Sequence, residues 1–238
     1  MRARGRGAAV ALTMIMTLAA CGSQEEQMGT EETTPATTGP PADEDTRTSA
    51  EPDAFSVSVD ASATPATAPE GFTAGLEGVL VTYTVTNDGP EPIKVATDRG
   101  SGQTRSSVTA SAAVWVSAGS SPDVARLSKQ VFGIPDGVLP TDLHRVGSAT
   151  VEPGGTLEDT AFVTLPLATD LPEGTRTITV TEDPLQDPAA VTGVEVCVQL
   201  APGPEPGQEE PYASTIAANA SGTTTVCSEV VELPEGTR

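Results

Sequence analysis

The sequence predicts an all-β domain, a two-sheet sandwich of about eight or nine short strands with one short helix, preceded by a disordered tether. Three observations carry this reading. From Phe55 onward apolar residues recur at every second position, the period of a strand that buries one face. Clusters of Gly, Pro, Asn and Asp cut that pattern into short lengths, as in all-β domains. Aromatic residues make up only 3% of the chain, so the core is built from Val, Ile, Leu and Ala.

The first 20 residues read as a targeting segment. Arg2, Arg4 and Arg6 form a positive start with no acid among them. Residues 8–20 then form an apolar run whose only polar members are Thr13 and Thr17, shorter than the roughly 20 residues a spanning helix needs. The small residues Ala19 and Ala20 stand before Cys21. Leu18-Ala19-Ala20-Cys21 resembles the lipobox of bacterial lipoproteins, and the Ala- and Val-rich, Lys-poor usage resembles that of high-GC actinobacterial chains. The resemblance implies cleavage before Cys21, a diacylglyceryl group on its Sγ, and a protein anchored to the cell membrane and facing away from the cytoplasm. Two acyl chains give the double signal that stable anchoring requires, at about 0.8 kcal/mol per buried methylene. The alternative is a plain secretory signal with an incidental cysteine.

Loss of residues 1–20 removes three of the 12 basic residues and none of the 33 acidic ones, a mature net charge of 9 − 33 = −24. So negative a surface repels phosphate, which sets aside nucleic acid and anionic lipid headgroups as partners. Residues 21–53 read as a lipidated linker. Glu25, Glu26, Glu31, Glu32, Asp43, Glu44, Asp45, Glu51 and Asp53 face a single Arg47, among prolines and threonines with no apolar period. Such a chain buries too little to offset its ordering entropy and stays extended and disordered. It spans about 30 Å as a coil and at most about 105 Å fully extended. Thr33, Thr34, Thr37 and Thr38 are candidates for O-linked sugar.

Residues 54–238 read as a single β-sandwich domain, large enough for one core. Phe55, Val57 and Val59 alternate with Ser56, Ser58 and Asp60. The cleanest strand has Val79, Val81, Tyr83 and Val85 on one face and Leu80, Thr82, Thr84 and Thr86 on the other. It ends at Asn87-Asp88-Gly89-Pro90, and Ile93 and Val95 resume the pattern, which reads as a β-hairpin. Further strands are expected at about 106–117, 157–165, 175–181, 191–200 and 223–233, separated by turns at Pro153-Gly154-Gly155, Pro172-Glu173-Gly174 and Asp183-Pro184 and by the loop 201–211. One short helix is expected at about 122–132. Ser121 suits its cap, Pro122 its first position and Asp123 its positive end, Val124, Leu127 and Val131 share a stripe, and Gly133 ends it.

The stretch from Gly78 to Val95, with Val151-Glu-Pro-Gly-Gly-Thr156 and Leu171-Pro-Glu-Gly-Thr-Arg-Thr-Ile-Thr-Val180, resembles immunoglobulin-like and fibronectin-type sandwiches of bacterial surface proteins. The resemblance implies a binding or spacer module rather than an enzyme. The antibody-type Cys, Trp, Cys spacing is absent, so only the architecture carries over.

With Cys21 lipidated, Cys197 and Cys227 are left as an even pair in an oxidising compartment. Cys197 shares parity with Glu195 and Gln199, opposite Val194, Val196 and Val198, so its sulfur points off the core face. If the two strands pair antiparallel, the sulfurs meet in a structural disulfide. A redox-active or metal-binding pair would want closer spacing and a histidine partner.

Catalytic signals are few. His144 is the single histidine, no serine lies in a Gly-x-Ser-x-Gly elbow, and a zinc site of ordinary composition lacks its ligands. The acidic groups Asp183 with Asp187, Glu205 with Glu209 and Glu210, and Asp136 with Asp142 do not follow calcium-loop spacing and read as solvated surface. Asn219-Ala220-Ser221 reads as a chance sequon. No catalytic residue, metal ligand or cofactor is expected. The function expected is therefore that of a non-catalytic lipoprotein held to the membrane through Cys21, binding an envelope protein or glycan or acting as a spacer. An inhibitor or accessory factor for exported proteins is the first alternative. A hydrolase working with carboxylates alone is the second, and it requires two carboxyl groups about 5–10 Å apart in a concave pocket.

Overall fold

The computed structural model describes residues 55–103 and 110–236. The expected signal segment 1–20, the tether 21–53 with Cys21, and the start of the expected strand 106–117 lie outside the described residues. In chain order the strands are β1 (Val57–Thr67), β2 (Glu77–Asn87), β3 (Ile93–Ala96), β4 (Trp115–Ala118), β5 (Val124–Lys129), β6 (Arg145–Val151), β7 (Thr156–Thr164), β8 (Gly193–Pro202), β9 (Thr215–Ala217), β10 (Thr224–Cys227) and β11 (Val231–Glu232). The molecule is all-β, as its period-2 pattern requires. The smaller sheet has the order β1-β2-β7, antiparallel throughout; the larger runs β4-β5-β8-β3-β6-β9, with β10 and β11 also on β8.

The two sheets meet over one apolar core. Val79, Val81, Tyr83 and Val85 of β2 and Ala161 and Val163 of β7 pack with Val95, Ala125, Leu127, Val194, Val196, Val198 and Leu200 of the larger sheet. The exposure of β2 alternates as its sequence does, and each buried Val or Leu contributes roughly 1.5–3 kcal/mol. β8 is buried on both faces and bonded along both edges. Its Val194 pairs with Ala125 and Val231, and its Leu200 pairs with Val95 and Thr224. A second, smaller cluster covers the outer face of β4, where Trp115, Phe132 and Ile178 pack with Leu171 and Val180.

Four expectations need correction. The helix expected at 122–132 is a strand: Val124–Lys129 pairs parallel with β8 and antiparallel with β4. The apolar stripe at 124, 127 and 131 misled because both faces of this segment are buried, so a 3.6-residue spacing carries no directional information. The only helical turns among the described residues are two short 3-10 pieces, Ser101–Gln103 and Pro188–Ala190.

The hairpin expected across Asn87–Pro90 is instead a crossover between sheets. β1 and β7 occupy both edges of β2, and β3 pairs with β6 and β8. The turn chemistry is as read, with Gly89 N donating to Asn87 Oδ1 at 3.0 Å. However, Asn87 Nδ2 also donates to Glu91 O at 2.8 Å and to Val151 O at 3.0 Å, tying the turn to the opposite sheet.

The strand expected at 175–181 reduces to one bridge, Thr175 with Ile178. Ile178 is drawn under Trp115 and Phe132, and Thr179 N donates to Gly133 O at 2.9 Å, so the segment covers the sheet rather than extending it. Finally, eleven strands stand among the described residues rather than eight or nine, because β5 replaces the helix, the strand expected at 223–233 divides into β10 and β11, and β6 and β9 have no clear period in the sequence. β6 carries Gly147, Ser148 and Ala149 at its centre, too small to show a period, and β9 is three residues long.

Candidate functional site

The two C-terminal cysteines come together as their parity requires. Cys197 of β8 and Cys227 of β10 are direct partners in the antiparallel register and are bonded, with Cα atoms 4.0 Å apart. Cys197 lies beside Glu195 and Gln199, on the face of β8 turned away from the main core. Both polar neighbours are held there, Glu195 by Arg126 Nε at 2.9 Å and Gln199 Oε1 by Val131 N at 3.0 Å. Glu195, Cys197 and Cys227 form the only cluster of metal-ligating atoms among the described residues, and the two sulfurs are spent on each other.

His144 is half-buried, and its backbone O accepts from Ala218 N at 3.0 Å. The acidic groups have local duties. Asp187 Oδ1 caps the turn Pro188–Ala190 by accepting from Ala189 N at 3.1 Å, and Glu210 accepts from Ser214 Oγ.

Three buried cations, which no motif announces, each organise part of the molecule. Lys94, on β3, donates from Nζ to Gln208 Oε1 at 3.2 Å and to Tyr212 O at 2.6 Å, fastening the loop after β8 to the sheet. Arg145 stacks over the ring of the half-exposed Tyr212 at 4.6 Å in the same loop. Arg99 lies over Trp115 at 5.1 Å, donates to Val114 O at 3.1 Å and pairs with Asp170, while its Nε has no partner. Phe72, Leu76, Phe162 and Leu167 line a 270 Å³ cleft above that pair.

Lys129 is the third. Its alternation places it on the same face of β5 as Ala125 and Leu127, which is the core face. Its side chain is 0% exposed, and Nζ donates to Asp159 Oδ2 at 2.6 Å and to Thr97 O at 3.0 Å. Tyr83 completes the group, its OH donating to the same Oδ2 at 3.1 Å and its ring 5.6 Å from Nζ. Burial pulls the Lys129 ammonium below the usual lysine range, with Asp159 and Asp98 opposing it, and holds the Tyr83 phenol protonated well above the usual tyrosine range. The sequence shows only that Lys129 shares the parity of Ala125 and Leu127 once this segment is known to be a strand; that Asp159 and Tyr83 face it is seen in the fold.

A 620 Å³ cleft lies at the end of the sandwich where the described residues begin. Phe55, Pro90, Pro92 and Ile93 form one side and Pro202, Pro204 and Pro206 the other, with Glu91 and Glu205 also in its lining. Gly203 is required there. A Cβ on it would stand 2.6 Å from Pro92 O, so only glycine lets the two proline segments approach and bond through Gly203 N to that oxygen at 2.9 Å. Proline rings hold this surface rigid and apolar at little entropic cost, which suits recognition of an extended chain or a sugar face. No protein-family model, curated protein or solved structure matches this chain.

Proposed function

We propose that this chain is a non-catalytic lipoprotein anchored to the cell membrane through Cys21, facing away from the cytoplasm and presenting the proline-lined cleft to an envelope protein or glycan. The observation that carries the reading is the bonded pair Cys197 and Cys227. A disulfide linking two strands of a sheet belongs to a compartment that keeps thiols oxidised, where the lipobox at Leu18–Cys21 would also deliver the chain. Among the described residues no helix is long and apolar enough to cross a membrane, and the anchor proposed is the lipid on Cys21. The immunoglobulin-like resemblance and the acidic linker fit a binding head on a stalk.

Fractionation of cells expressing Cys21→Ser tests the anchor. The protein should leave the membrane fraction, and continued membrane association would overturn the reading. Affinity capture from cell envelopes with the soluble Cys21→Ser protein tests the binding surface. A partner lost on Pro204→Asp supports the cleft, and recovery of no partner leaves a spacer.

A second reading, an inhibitor or accessory factor for exported proteins, is favoured by the loop after β8. Lys94 and Arg145 hold that loop in one conformation while Tyr212 stays half-exposed. Loss of a target protease's inhibition on Tyr212→Ala, with the cleft intact, would select it.

A further inference from the structure

We propose that Lys129 and Asp159 condense within the folded protein to an amide that covalently joins the two sheets. Lys129 belongs to β5 of the larger sheet and Asp159 to β7 of the smaller, so the bond would cross the sandwich. Their reacting atoms are already in place. A 2.6 Å hydrogen bond from Nζ to Oδ2 holds the nitrogen about 3–3.5 Å from the carboxyl carbon, the separation of a pair ready to react.

The two carboxylate oxygens are already differentiated. Oδ1 accepts the backbone N–H of Thr160 at 2.7 Å, a donor placed where negative charge develops when the carbonyl is attacked. Oδ2 accepts from both Lys129 Nζ and Tyr83 OH, the protons a departing oxygen needs. Proton transfer from Nζ to Oδ2 along that hydrogen bond gives the neutral amine and acid. The Nζ lone pair then attacks Cγ, forming the C–N bond and passing charge to Oδ1. A second Nζ proton moves to the Oδ2 hydroxyl, the Cγ–Oδ2 bond breaks, and Oδ2 leaves as water. The ammonium and carboxylate together supply every atom of the amide and the water, and no oxidant or further reactant takes part. The Asp159 side chain is 17% exposed while that of Lys129 is fully enclosed, which gives the water a way out and keeps bulk water from the amine.

The test is a tryptic map of the full chain, purified from the membrane, reduced and denatured. Trypsin does not cut after an acylated lysine. The expected result is a branched peptide in which 127–145 is joined to 146–176, lighter than the sum of the two by one water, with 130–145 missing. Recovery of 130–145 and 146–176 as separate peptides at their sequence masses would overturn the proposal. A water loss located at Asp88-Gly89 or Asp136-Gly137 instead, the signature of a cyclised aspartate, would overturn it equally. Lys129→Arg and Asp159→Ala should each abolish the branched peptide. The decisive reading is on the unsubstituted protein, so it does not depend on either variant folding.

Discussion

Cys197 and Cys227 stand directly opposite one another on neighbouring antiparallel strands, on the face of β8 turned away from the main core. The segment their bond closes spans 30 positions and contains the proline-rich loop and β9. In the chain-entropy description such a closure stabilises the fold by about 3–4 kcal/mol. Cys197→Ala and Cys227→Ala should each lower unfolding free energy in urea by about that amount. The double variant should cost little more than either single one, and strict additivity would argue against a bond between them.

Asn87 holds the passage between the sheets with a three-way set of side-chain hydrogen bonds, two from Nδ2 and one to Oδ1. It is 1% exposed, so truncation strands the carbonyls of Glu91 and Val151. Asn87→Ala should destabilise the domain by about 2–3 kcal/mol in denaturant titration. Asn87→Asp should be no better, because a carboxylate cannot donate to those two oxygens. Native-like stability in either variant would remove the role given to this side chain.

Tyr83 confers an alkaline limit on stability. Its phenol is held protonated in the folded protein chiefly by burial, whereas in the unfolded chain it ionises near 10.0. A group whose folded value is raised gives stability that is complete below the unfolded value and is lost as pH climbs past it. Unfolding free energy should therefore fall by about 1.4 kcal/mol for each pH unit above 10 on account of this group. Tyr83→Phe should reduce that slope by the same amount, and an unchanged slope would refute the assignment.

Arg99 and Asp170 form an unequal pair, the guanidinium buried and the carboxylate half-exposed. Removing the carboxylate alone leaves a buried cation without its counter-charge. Asp170→Ala should thus cost about 2–3 kcal/mol, and adding Arg99→Met should restore part of that loss. If the double variant were less stable than Asp170→Ala, the stacking on Trp115 rather than the ion pair would be the dominant contact.

The sequence could be read wherever one physical effect dominated. β2 was legible because a strand between two others in a three-stranded sheet keeps one dry face and one wetter face. The cysteines were legible because parity fixes the face a side chain takes and antiparallel pairing does the rest. β5 was not, since a segment buried on both faces has no period to display. The partner of β3 was not, because Asn87-Asp88-Gly89-Pro90 encodes a change of direction and says nothing of which sheet receives the chain. Lys129 was passed over for a related reason: a charge at a core position is visible only once Asp159 is known to face it.

β8 joins partners from both sides of it in sequence, with β3 and β5 preceding it and β10 and β11 following it. The larger sheet therefore cannot be finished until the chain has emerged through Glu232, whatever has already formed in β1 and β2. Contacts so distant in sequence close slowly. A ribosome or an export channel would release this molecule with its central strand still waiting, so premature truncation after Pro202 should yield not a smaller stable domain but an open-edged fragment for proteases to clear.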